Sequence, residues 1–221
     1  MEIIPAILPK DFKEIEEKVF SVKGLAPMVQ VDICDGKYVQ NTTWPYKKKD
    51  QNFEDIICEN RGMPFWENVN YEFDLMIKDP TDNNVREWLS AGATRIVLHE
   101  GSSADLSPVI SILFGLVDIG LALNINTPLE NIEKYKEKIS YIQLMGITKI
   151  GFQGQAFDFR VLEKIKTIKT KYNNLPIQID GGISLATSEE VKKAGADRVV
   201  VGRALFESDN IVDTYRKFKS I

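Results

Sequence analysis

Two aspartates stand where chemistry could be done: Asp32 in Val29-Gln30-Val31-Asp32-Ile33-Cys34-Asp35-Gly36 and Asp180 in Pro176-Ile177-Gln178-Ile179-Asp180-Gly181-Gly182. Each closes a short apolar, β-branched run and is followed at once by turn residues. In a barrel of parallel strands, that strand-end position is where catalytic groups are placed. Two acids facing one another across a barrel mouth could take a proton from one face of a substrate and return it to the other. Strand alternation puts Gln30, Asp32 and Cys34 on one face, Glu72, Asp74 and Met76 on another strand's face, and Gln178 and Asp180 on a third. An acid before glycine often caps backbone N–H groups instead. Three acids in three different strands favour a shared site over three separate caps.

Glycines supply a second signal. Gly151-Phe152-Gln153-Gly154-Gln155, Gly181-Gly182-Ile183 and Gly202-Arg203-Ala204 each follow a predicted strand. Successive backbone N–H groups in such turns make an anion cradle, and barrels repeatedly bind phosphate after strands seven and eight. His99, the only histidine, ends strand four and could line the mouth, although a lone histidine is more often a packed, hydrogen-bonded residue. Met76 and Met145 read as core residues unless they floor a substrate pocket.

The elements that must hold these residues alternate from end to end. Predicted strands are Glu2–Leu8, Met28–Ile33, Asn70–Ile77, Arg95–His99, Gly120–Asn124, Tyr141–Gly146, Pro176–Asp180 and Arg198–Val201. Helical spacing appears at Phe12, Ile15, Val19 and Phe20, with Asp11 as N-cap. Further helices are expected over Pro128–Ile139 with Thr127 as cap, Phe157–Lys171, Ser188–Ala194 and Ala204–Phe218. Eight strand–helix units in 221 residues predict a single-domain (β/α)8 barrel, 1–221. A doubly wound open sheet usually has fewer strands at this length. The irregular stretch Asn41–Asn70 would follow strand two at the catalytic face, where a long loop could act as a lid.

Bulk composition narrows the field. With 43% apolar and 27% charged residues and net charge −4, the chain reads as an ordinary soluble domain. Its one basic run, Lys47-Lys48-Lys49, is a solvated loop rather than a nucleic-acid surface. Cys34 and Cys58 form no CxxC motif, so neither a disulfide framework nor a structural zinc site is indicated, which fits a reducing cytoplasm. No signal peptide is expected at the start. The longest apolar stretch, Val109–Leu123, is broken by Ser111, Gly115, Asp118 and Gly120, so no membrane span is expected.

Several segments, in order, resemble the ribulose-phosphate 3-epimerase family: Pro5-Ala6-Ile7-Leu8-Pro9-Lys10-Asp11-Phe12, Val31-Asp32-Ile33-Cys34-Asp35-Gly36-Lys37-Tyr38-Val39-Gln40-Asn41 and Asp74-Leu75-Met76-Ile77. Gly151-Phe152-Gln153-Gly154-Gln155-Ala156-Phe157, Asp180-Gly181-Gly182-Ile183 and Ala194-Gly195-Ala196-Asp197-Arg198-Val199-Val200-Val201-Gly202 continue the match. The resemblance implies a (β/α)8 barrel that epimerises C3 of a ketose phosphate through an enediolate. Asp32 and Asp180 would be the paired acid and base around a divalent metal. It also implies substrate and phosphate contacts from Met76, Met145, Gly151, Gly154, Gln155, Gly181, Gly182, Gly202 and Arg203, and frequent self-association.

This sequence departs from the family at the metal. Gln30 and Asp74 stand where the family has histidines, giving a candidate ligand set of Gln30, Asp32, Asp74 and Asp180. Among Mg, Mn, Fe and Zn, an all-oxygen set disfavours zinc and suits magnesium or manganese. Pro9 and Cys34 replace a serine and a methionine, and Arg203 replaces a serine, adding a cation to the phosphate cradle. Two other functions compete. A barrel decarboxylase needs Asp-x-Lys-x-x-Asp in strand three, whereas here Lys78 lies four residues after Asp74. A sugar-phosphate-binding barrel without catalysis would keep the cradle and lose the metal chemistry.

Overall fold

Period-two alternation becomes a closed ring of eight parallel strands in a computed structural model that describes all residues, Met1–Ile221. The strands are β1 (Glu2–Ile7), β2 (Met28–Cys34), β3 (Asn70–Met76), β4 (Ala93–His99), β5 (Asp118–Leu123), β6 (Tyr141–Met145), β7 (Ile177–Asp180) and β8 (Arg198–Val201). Each pairs with its sequence neighbour, and β1 closes on β8 through Glu2↔Arg198 to Pro5↔Val201. The helices are α1 (Phe12–Val22), α2 (Gln51–Ile57), α3 (Asp82–Ser90), α4 (Ser107–Leu113), α5 (Arg160–Lys171), α6 (Leu185–Ala194), α7 (Arg203–Phe206) and α8 (Ile211–Ser220). This is the (β/α)8 barrel expected from the alternation.

The two faces of each strand separate two kinds of packing. Outward residues such as Ile3, Ile7, Val29, Val31, Ile33, Phe73 and Leu75 join the helices in one large apolar core. Inward residues are far more polar: Gln30, Glu72, Asp74, His99, Gln143 and Gln178 are all fully buried. The stability of the barrel therefore resides mainly between strands and helices, where apolar burial contributes about 25 cal/mol per Å². The interior is left for chemistry.

Four expected helices differ in the structure, α5 in starting at Arg160 rather than Phe157. Between β5 and β6 there is only a short 3-10 turn, Leu129–Lys134, and Thr127 does not cap it. The Lys164 ammonium instead donates to the carbonyls of Asn124 and Thr127, fixing this entry through a tertiary contact. The helix expected over Ala204–Phe218 is two, because Asn210 accepts from the Asp213 N–H and starts α8 afresh. The helix α6 begins earlier than expected, at Leu185, behind a capping box in which the Ser184 and Thr187 side chains each bond the other's backbone N–H.

The stretch expected as a lid is part of the wall. Trp44 is buried between Phe12, Phe53 and Trp88, with ring centroids 5.4–6.1 Å apart. No residue from 41 to 70 lines the cavity at the barrel mouth.

Candidate active site

Register places the acids side by side. Asp32 on β2 pairs directly with Asp74 on β3, one level above Gln30↔Glu72. On the opposite wall Asp180 on β7 pairs with Met145 on β6, one level above Gln178↔Gln143. One carboxylate oxygen from each of Asp32, Asp74 and Asp180 can be chosen so that all three lie within 4.8 Å of one another. Asp32 and Asp74 are buried, and Asp180 is half-buried at the mouth.

Polar side chains beneath the acids hold them in place. The Gln30 amide nitrogen donates to Asp32 Oδ1 at 2.8 Å and Asp180 Oδ2 at 3.4 Å. As placed, Gln30 brackets the pair with its nitrogen, while its oxygen accepts from Gln178 at 3.3 Å. Gln178 also donates to Glu72 at 2.6 Å and to the Gln143 carbonyl at 2.8 Å. Tyr141 donates to Glu72 at 2.7 Å, and Arg95 lies 3.8 Å from the same carboxylate. His99, buried at the end of β4, places Nε2 2.7 Å from Asp74 Oδ1. Gln143 donates to Asp74 Oδ2 at 3.1 Å. Sequence reasoning missed Gln143, although alternation with Tyr141 and Met145 on β6 carried the signal.

Crowded acids in a poorly solvated site resist ionisation. Burial, followed by the charges of Asp180 and Asp74, raises the Asp32 carboxyl well above its ordinary range. Burial and then Asp74 push Asp180 up to about 8. Burial also raises Glu72, against its hydrogen bonds from Tyr141 and Gln178. Each of these groups holds its proton more tightly when folded than in the unfolded chain, where a carboxyl titrates near pH ~4. Their contribution to stability is thus complete below about pH 4 and is lost as pH rises toward 8. Asp105 and Glu133 are held down to about 2, Asp105 by the Ser107 N–H and Lys134 and Glu133 chiefly by Tyr172 and lysines. Their contribution is lost only on acidification below about pH 4. Protein kept in chelator should therefore show a melting midpoint that falls between about pH 5 and 8. A flat or rising midpoint over that window would contradict the raised pKa values.

Above the acids opens a cavity of about 440 Å³. Asp32 and Asp180 form part of its floor. Met76, Met145, Gly151, Gly154, Gln155, Gly181, Gly182, Gly202 and Arg203 all line it, as do Ser184 and Gln153, which the sequence did not single out. Gln30, one level below, and Asp74, level with Asp32 but fully buried, do not line it. The loop after β6 is tied down near its middle: Asn41 donates to the Gly151 carbonyl at 2.7 Å, and Gln153 to the Ala6 carbonyl at 3.3 Å. Gly182 must be glycine, because its φ is +70° and a Cβ there would lie 2.7 Å from Phe157 Cα. Gly154 lets the Arg203 guanidinium lie against its backbone. Arg203 is exposed, with Glu207 3.9 Å away.

Asp32, Asp74 and Asp180 together suit a hard divalent cation, which takes oxygen ligands and would relieve their mutual repulsion. Cys34 offers no competing soft ligand: its thiol is buried, raised by desolvation and the nearby carboxylates, and 3.9 Å from the Met76 sulfur. The decarboxylase arrangement is absent. Lys78 is exposed beside Asp79 and does not line the cavity.

Comparison with known proteins places the chain in a family. The chain is 30% identical to the ribulose-phosphate 3-epimerase of Aquifex aeolicus over 225 residues, covering 99% of this chain and 96% of the relative. It is 28% identical to the Escherichia coli K12 enzyme of the same name, covering 97% and 94%. Among solved structures, 3-hexulose-6-phosphate synthase from Salmonella typhimurium superposes with a TM-score of 0.71 at 15% identity, covering 100% of this chain and 97% of that one. Orotidine 5'-phosphate decarboxylase from Pyrococcus horikoshii OT3 gives 0.65 at 19%, covering 99% and 100%. Those two likenesses establish the fold alone. The ribulose-phosphate 3-epimerase family model matches residues 2–206, and the chain belongs to that family.

Proposed function

We propose that this protein is a ketose-phosphate 3-epimerase in which Asp32 and Asp180 exchange protons across the plane of an enediolate. The observation that carries this reading is the placement of these two acids. They rise from β2 and β7 onto the floor of one cavity, joined by the Gln30 amide. One carboxylate removes the proton at the carbon alpha to the ketone, and the other, protonated, delivers one to the opposite face. Burial suits this role, since it holds a carboxyl toward its protonated form. Met76 and Met145 make the adjoining wall apolar, which restricts water at the reacting carbon.

A divalent cation, held by Asp32, Asp74 and Asp180, would supply electrostatic stabilisation to the oxyanion that develops on the substrate. Magnesium or manganese fits three carboxylates better than zinc does. The glycine turns after β6, β7 and β8 and the Arg203 guanidinium would take the phosphate, so the partner is a small phosphorylated sugar. Two unpaired cysteines suit a reducing cytoplasm. No helix is long and apolar enough to cross a membrane.

The test is proton exchange. Ribulose 5-phosphate incubated in D₂O with the protein and Mg²⁺ or Mn²⁺ should gain deuterium at C3 and yield its C3 epimer. No exchange with Mg²⁺, Mn²⁺, Fe²⁺ or Zn²⁺ would sink the reading, and phosphate-ester binding without turnover would favour a binding barrel. Arg203→Ala should raise KM about tenfold with little change in kcat, the expected loss of one charge-assisted contact at an exposed rim. An unchanged KM would remove Arg203 from the cradle.

A further inference from the structure

Asp74 is the one acid of the three with partners on both oxygens from outside the carboxylate cluster. His99 Nε2 meets Oδ1 at 2.7 Å, and Gln143 Nε2 meets Oδ2 at 3.1 Å. An aspartate carboxylate otherwise turns through a broad χ2 range. Gln143 is held by hydrogen bonds and His99 by packing, since the buried His99 Nδ1 has no partner. Gln143 is held through Gln178 to Glu72. The His99 ring packs 5.5 Å from the Tyr38 ring, whose hydroxyl accepts from Asn124 at 3.3 Å. Neither His99 nor Gln143 lines the cavity, so substrate contact does not explain them.

We propose that His99 is a positioning residue for a hard divalent cation: its Nε2–H pins Asp74, against Gln143 on the other oxygen, so that the carboxylate faces Asp32 and Asp180. The inference rests on the cation reading above. A carboxylate reaching a cation from a buried strand has a narrow range of useful orientations, and a hydrogen bond from a rigid ring restricts it. The imidazole thus serves the ion from behind a carboxylate rather than as its ligand.

Mn²⁺ binding to the substrate-free protein, followed by electron paramagnetic resonance and calorimetry, tests this without turnover. His99→Phe should weaken Mn²⁺ about 10- to 100-fold and broaden the bound Mn²⁺ spectrum. His99→Gln, whose amide can still donate, should recover most of that loss. Melting midpoints measured in chelator separate positioning from folding. Should His99→Phe fail to fold, His99→Asn, a polar side chain too short to reach Asp74 equally well, provides the same comparison. Wild-type protein that binds no Mn²⁺ would refute the cation reading and this inference with it. Wild-type binding with equal affinity in a folded His99 variant would overturn the positioning role alone. So would weakening that His99→Gln does not relieve.

Discussion

Asp180→Asn should lower the rate of C3 proton exchange by at least about 10³-fold, while the metal-free barrel melts at the same temperature or higher. General acid–base groups contribute roughly 10²- to 10⁴-fold, and this residue is in addition a candidate cation ligand. The amide cannot take up the proton. Stability moves the other way because Asp180 is a strained acid: burial and the Asp74 charge push it up to about 8, and an amide ends that repulsion. A merely structural aspartate would give the reverse pattern, a lower melting point with activity largely kept. Exchange kinetics by NMR and a melting curve in chelator read both halves. Asp32→Asn should behave alike, since Asp32 shares the Gln30 bracket and is also pushed up by burial and by Asp180.

Stripping the protein with chelator should abolish turnover, and Mn²⁺ or Mg²⁺ should restore it far better than Zn²⁺. Without a cation, the developing enediolate would face Asp32, Asp74 and Asp180, within 4.8 Å of one another through one oxygen each. Losing electrostatic stabilisation of such an oxyanion costs roughly 10²- to 10³-fold even for a single donor, and a divalent charge contributes more. Asp74→His tests the choice of ion. It offers a nitrogen ligand and should shift the preference toward Zn²⁺ or Fe²⁺. Metal content after dialysis and activity after reconstitution provide the readout. Full activity in chelator would show that the carboxylates work without a cation.

Much of the fold was legible because its signals are local. Strand alternation and short β-branched runs marked all eight strands, and Asp11 caps α1 as its spacing predicts, accepting from the Glu14 N–H at 3.0 Å. Some readings failed on local caps overlooked at Asn210 and Ser184, and two failed because a distant contact decided. Thr127 looks like a cap, but Lys164, far along the chain, occupies the carbonyls around it. Asn41–Asn70 looks like a lid, but Trp44 finds Phe53 and Trp88 and draws the stretch into the wall.

The candidate site divides in the same way. By itself the sequence determined which residues share a face, since a period of two fixes that, but of the three acids only Asp180 ends its strand, because β2 runs on to Cys34 and β3 to Met76. That was enough to single out Asp32, Asp74 and Asp180 and the glycine turns that line the cavity. Only the tertiary structure decided register and distance. It set Asp32 beside Asp74, turned the Gln30 nitrogen toward two carboxylates, and gave Asp74 a histidine on one oxygen and a glutamine on the other. Closure of the barrel brings residues more than a hundred positions apart within hydrogen-bond reach, and no local pattern encodes that proximity. The lone histidine therefore looked like either packing or chemistry in the sequence, and became a partner of Asp74 only when β3 and β4 paired.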